Sequence, residues 1–306
     1  MTTTGVESCK IVSHDRLGIV LGFVGMCMFA GTLPATRLAV DGIEPLLLTA
    51  LRVSIAGLAG LAVIVATRRR PPPRPLWPAL LGATACSVLL FPVSVALALM
   101  TVPVAHGGIV LGIVPLATAA AAALLAHERP SPGFWLASVA GSIVVLVFVY
   151  RQSGGTGFST GDLFLLVTVV AGALGYTLSG RLSLLIPGWE VISWQVVLGL
   201  PFALLASWLL WPADIGQVPA AAWAGLAYVG LVSQYTAFFV FTAAMVRIGI
   251  ARVGQIMLLQ PFVIVVLAWP VNHETVRLET LLFAAAVVVV VFIGQRMRVQ
   301  RGLIVP

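Results

Sequence analysis

The sequence predicts an all-helical, polytopic membrane protein, and three observations predict it. Of 306 residues, 60% are hydrophobic and 9% charged, with a mean hydropathy of +1.10, whereas a soluble domain is about 45–50% apolar and about 25% charged. The 17 basic and 10 acidic residues are too few to coat a water-soluble surface of this length. The apolar residues also fall in continuous runs, which excludes the alternating strands of a membrane barrel. Finally, the chain repeats itself at a shift of 146 residues, a stronger signal than any single motif.

Each run is bounded by charge, proline or glycine and is long enough to cross a bilayer, which takes about 20 residues. The first, 17–39, follows Arg16 and is read as a retained span, because it is too long for a signal peptide and lacks a small-residue cleavage site. The second, 46–66, lies between Pro45 and Arg68; the third, 77–99, follows Arg74; the fourth, 105–126, follows Pro103 and ends at His127-Glu128. The fifth, 134–150, is the shortest and stops at Arg151. Spans are then expected at 162–184, 191–211, 222–246, 253–271 and 278–295, the last closing at Arg296.

Short cytoplasmic loops retain Lys and Arg. Thirteen basic residues fall on the side of the N-terminus: Lys10, Arg16, Arg68, Arg69, Arg70, Arg74, Arg129, Arg181, Arg247, Arg252, Arg296, Arg298 and Arg301. Three, Arg37, Arg151 and Arg277, fall on the other, and Arg52 lies inside a span. Both termini are therefore expected in the cytoplasm. The net charge of +7 is scattered apart from the arginines near the 70–75 proline run, so it marks a loop and gives no reason to expect nucleic acid.

At the 146-residue shift Glu44 meets Glu190, Trp77 meets Trp223, Ser87 meets Ser233, Gly108 meets Gly254, Pro115 meets Pro261, and His127-Glu128 meets His273-Glu274. Two five-span repeats follow, at 17–150 and 162–296, between an N-terminal segment 1–16 and a tail 297–306. Five is odd, so the second copy must enter the membrane inverted, the plan of many secondary transporters.

Gly31-Thr32 to Leu38, Thr49-Ala50-Leu51-Arg52, and Val104-Ala105-His106-Gly107-Gly108 running through Pro115 to His127-Glu128-Arg129 resemble the EamA-type repeat of the drug/metabolite transporter superfamily. The resemblance covers nearly the whole chain. It implies two tandem five-helix units in a bacterial inner membrane and export or exchange of small metabolites such as amino acids. One departure is that the family commonly has Gly before the glutamate ending its fourth and ninth helices, where this chain has His127 and His273.

All ten acidic residues lie at span ends or in loops, so a buried carboxylate for proton coupling is not expected. Glu128 and Glu274 are read as interfacial, pairing with Arg129 or Arg277. A binding cavity must then be built from neutral polar and aromatic side chains. At about 1.5 Å of rise per residue, Tyr176, Gln234, Tyr235, Gln260, Ser87 and Thr118 fall near mid-span and are the cavity candidates. Gln234 and Gln260 either face that cavity or tie helices together, since an unpaired amide in hydrocarbon is costly. Ser87 and Ser233 are read as packing serines, and Trp194 as an interface anchor or a ligand contact.

Pro115 and Pro261 remove a backbone hydrogen bond at matched positions and predict equivalent kinks, which serve either gating or static packing. Arg52 is expected to snorkel toward Asp41 or Glu44 in preference to meeting a substrate carboxylate. His106 and Arg252, at the starts of the fourth and ninth helices, are gate candidates for an anionic or zwitterionic solute, or ordinary interface residues.

No metal site, cofactor or ATPase partner is expected: the four histidines are dispersed, the three cysteines form no CxxC, and no P-loop, GxSxG or pair of intramembrane aspartates occurs. The reading is thus a non-enzymatic alternating-access carrier for a small molecule, monomeric or homodimeric in the bilayer. The alternative is a passive channel or membrane scaffold.

Overall fold

Asp15 starts the first helix. Its carboxylate accepts the Leu17 N–H at 3.0 Å and caps α1 (Arg16–Ala30). The computed structural model describes residues 15–99, 101, 111–153, 160–212, 215–272, 278–297 and 299–301. Gly18, Gly22 and Gly25 recur at helical spacing along α1, and a Cβ at any of them would press on Ile248, Ile256 or Phe241. That bare face seats α1 against α11 (Ala237–Ile248) and α12 (Ile250–Ile256). At Gly31 the helix breaks before α2 (Thr32–Val40). The Tyr228 hydroxyl fills the space beside Gly31 and donates to the Met28 carbonyl at 3.1 Å, satisfying an acceptor at the break.

Glu44 accepts the Leu47 N–H at 2.9 Å, and Pro45 occupies the first turn of α3 (Pro45–Ala66). After a 3₁₀ turn at Arg74–Leu76 come α4 (Trp77–Ala83), a π-helical segment Thr84–Leu90 and α5 (Phe91–Leu99). The first half closes with α6 (Val114–Leu125), a short strand β1 (Glu128–Pro130) and α7 (Pro132–Ser153). The second half runs α8 (Thr160–Leu182), α9 (Gly188–Leu209), α10 (Ala220–Ala227), a π segment Tyr228–Thr236, then α11 and α12. A 3₁₀ turn Met257–Leu259 leads to α13 (Gln260–Asn272), followed by α14 (Leu278–Arg296) and β2 (Val299–Arg301).

The 146-residue register is visible in this backbone. It carries 84–90 onto 230–236, inside the second π segment. It also carries the break at 112–113, before Pro115, onto the 3₁₀ turn before Pro261. Both prolines stand at the start of a restarted helix, where the missing N–H costs least. The main contacts join α1 to α11, α2 to α10, α3 to α9, α5 to α8, α6 to both α8 and α12, and α7 to α14. Exchanging the two repeats carries α1–α11 onto α5–α8 and returns α3–α9, α6–α12 and α7–α14. Gly57 and Gly60 let α3 approach Val196 and Leu200 of α9 closely.

Among the described residues six helical stretches are long and apolar enough to cross a membrane: Arg16–Val40, Pro45–Ala66, Arg74–Ala98, Thr160–Leu182, Gly188–Leu209 and Ala220–Ile248. Val114–Leu125, Pro132–Val144, Ile250–Ile264 and Ala285–Gly294 are shorter apolar helices. Leu124, Leu136, Phe202, Trp208 and Leu209 stand exposed, a surface that suits lipid and not water. The chain is a multi-pass membrane protein.

One detail departs from the expected helical plan. The fold is not purely helical, because β1 and β2 pair antiparallel with Glu128 opposite Arg301. The start of the expected tail is thereby held against the end of the fourth run, and three residues are too few to show an alternating pattern. His127 lies in the left-handed region, φ 51°, which explains why the resembling family commonly has glycine there. A β-carbon in that region costs about 1–2 kcal/mol, so His127→Gly should raise the thermal midpoint of the purified protein. An unchanged or lower midpoint would contradict this account.

Candidate functional site

A cavity of about 210 Å³ lies between the two repeats. Its polar wall is made by Arg52 on α3 and Gln234 on the second π segment, whose Oε1 accepts a hydrogen bond from the arginine Nη2 at 2.8 Å. The local backbone brings them together. Gly230 lies close to Ile55 and the Arg52 carbonyl, so the π segment approaches α3 without a side chain between them. The wider turn then buries three successive residues, Ser233, Gln234 and Tyr235.

Tyr176, Gln260, Ser87, Pro115 and Pro261 also line this cavity. Arg52 does not reach Asp41 or Glu44: it turns inward to Gln234, and the Glu44 carboxylate caps α3. Snorkelling presumes a lipid-facing stem, whereas Arg52 faces the helices of the other repeat.

Tyr235 and Thr118 lie apart from the cavity. The Tyr235 hydroxyl is 2.7 Å from Ser193 Oγ, and its ring stacks edge-on against Phe239. Thr118 is buried where α6 crosses α12 beside Gly254. Arg252 is buried too, with Nη2 donating to the Met297 carbonyl at 3.0 Å, and so ties α12 to the end of α14. His106 falls outside the described residues.

Depth along the spans does not reveal Gln195, which is fully buried on α9 and donates to Ser179 Oγ at 2.9 Å while Ser87 Oγ donates to its carbonyl at 3.4 Å. It stands only four residues into the seventh run, so a ranking by distance from mid-span passes over it. This cluster supports the packing role expected of Ser87.

The cavity is closed on one side. Phe29, Tyr176, Phe238 and Phe241 form an aromatic floor with ring centroids 5.0 to 6.0 Å apart. Beyond it Met26, Met245, Ile248 and Ile250 are buried together. Both described chain ends lie on this side: Asp15 pairs with Arg247 at 2.8 Å, and β2 is held by β1. The hydrogen bond from Arg247 holds the Asp15 carboxyl below the usual carboxylate range. Stability from this pair is present above the ordinary carboxylate value and is lost as pH falls through the lowered one.

Among the described residues Glu128 makes no ion pair with the expected arginine, and Glu274 and Arg277 lie outside them. The buried Glu128 carboxylate accepts the Ile250 and Ala251 N–H groups at 2.8 and 2.9 Å, capping α12 from the other repeat. In the opposite direction the cavity wall runs through Arg37 and Val40 to Pro45, toward the turn between α2 and α3.

Among the described residues no cluster of His, Cys, Asp or Glu could hold a metal ion. The cavity offers a guanidinium, two amides and an aromatic floor.

Most of the chain aligns with known proteins. It is 40% identical over 280 residues to the uncharacterized transporter YdeK of Bacillus subtilis (strain 168), an alignment covering 91% of this chain and 97% of that one. A protein of known crystal structure shares the fold at a TM-score of 0.75 and 21% identity, over 90% of this chain and 95% of its own. The EamA-like transporter pattern matches twice, at residues 16–150 and 159–294. With both repeats accounted for, the chain belongs to the EamA-like transporter family.

Proposed function

We propose that the protein is a secondary carrier that moves a small metabolite by alternating access through the cavity between its repeats. Ten spans form two inverted five-helix units, with the termini in the cytoplasm and the closed floor facing it. The observation that supports this most is a polar cavity at the interface of the repeats, sealed toward the chain termini and extending toward the α2–α3 turn. A repeat-exchanged arrangement of the same contacts would close that turn and open the floor. Gln234, Tyr176, Gln260 and Arg52 are the proposed contacts with the solute, and the breaks before Pro115 and Pro261 the proposed hinges.

The purified chain in proteoliposomes tests the carrier against the channel. A carrier gives saturable uptake that is accelerated by unlabelled solute on the far side. Flux that rises linearly with concentration and shows no counterflow would establish the passive reading. Orientation is tested separately: a cysteine at Pro72, beside the arginine cluster, should resist an impermeant maleimide applied outside intact cells and react once the cells are opened. Labelling from outside would reverse the topology.

A further inference from the structure

We propose that the transported solute is an organic anion: a carboxylate with a small apolar or aromatic body, bound by Arg52 and Gln234. This rests on the carrier reading and names its substrate class. The Arg52–Gln234 hydrogen bond uses one donor of the guanidinium and the amide oxygen. Arg52 Nε and Gln234 Nε2 are both buried and have no hydrogen-bond partner among the described residues. Gln234 is only 2% exposed. Two N–H donors, one of them cationic, are thus held at the cavity wall, the arrangement that recognises a planar oxyanion.

Among the described residues nothing acidic competes for them: the cavity lining contains Arg37 and Arg52 and no aspartate or glutamate. A buried guanidinium without a counter-charge is unfavourable, so an anion is stabilised there and a cation repelled. An ammonium group would find no carboxylate, which ranks a zwitterion below an acid of the same shape.

The body of the solute follows from the remaining lining, where Phe29, Tyr176, Phe238 and Phe91 surround the polar pair. The cavity volume of about 210 Å³ lies below the about 300–1,000 Å³ of pockets for drug-sized ligands, which favours a small monocarboxylate.

Three probes of one shape and different charge decide the matter: 3-phenylpropionate, phenylalanine and phenethylamine, each applied to the purified full-length protein. Binding is read as a ligand-dependent rise in thermal midpoint, and transport as counterflow in proteoliposomes. The acid should bind tightest, the amino acid more weakly and the amine not at all. Arg52→Gln should weaken acid binding about 100-fold and Arg52→Lys less, since lysine keeps the charge and loses the planar fork. Gel filtration of each variant separates loss of binding from loss of fold.

Equal or tighter binding of the amine, acid binding unchanged in folded Arg52→Gln, or no binding of the acid at millimolar concentration would each overturn the proposal. The carrier reading fails differently. Acid binding without saturable counterflow would remove the carrier and leave the anion site, whereas counterflow of the amine would keep the carrier and remove the anion.

Discussion

Leucine in place of Gln234 should reduce saturable transport about 10- to 100-fold in apparent affinity. The substitution removes the acceptor of the 2.8 Å bond from Arg52 and, with it, the Nε2 donor at the cavity wall. Hydrogen bonds to a charged partner contribute about 1.5–3 kcal/mol, and each 1.4 kcal/mol is about tenfold in affinity. The single variant also leaves a guanidinium buried without its amide, which destabilises the fold. Pairing it with Arg52→Leu resolves the two effects. The double variant should recover thermal stability, because no unpaired charge remains, while transport stays low. If instead transport returns along with stability, the pair only holds helices together, and the cavity reading of Gln234 is wrong.

Glu128→Ala should be the most damaging single change to the fold. One buried carboxylate satisfies two backbone N–H groups at the start of α12, and the bond crosses from one repeat to the other. Each buried donor left unmade costs about 1–3 kcal/mol, and the favourable interaction with the helix dipole is lost as well. A total of about 4 kcal/mol corresponds to a fall of about 10 °C in the thermal midpoint of a large domain. Glu128→Gln, which keeps one oxygen acceptor and no charge, should fall about half as far. An alanine variant as stable as the parent would mean that these bonds contribute nothing net.

Much of the fold and part of the site are legible in the residues themselves. Seven matched sites along the chain expose the duplication, and depth brings Tyr176, Gln234 and Gln260 to one cavity. The directions of side chains are not legible, because nearly every face of these helices is apolar and no polar stripe separates the side facing lipid from the side facing protein. Hence depth alone places Tyr235, adjacent to Gln234, at the cavity although it points to Ser193, and the nearness of acidic residues in sequence turns Arg52 outward although it points to Gln234. The π segments are invisible for the same reason. One extra residue in a turn rotates everything after it by about 100°, but in a uniformly apolar run that rotation leaves no mark on the pattern.

Those π segments also carry a date. An extra residue in a helical turn is the mark of an insertion, and Thr84–Leu90 and Tyr228–Thr236 overlap in the 146-residue register. One event copied by gene duplication is a simpler history than two independent events at one position. On that history the ancestral single repeat already had the widened helix. A relative built from a single repeat should therefore keep the widened turn at the corresponding place, and an unbroken α-helix there would reverse the order of events.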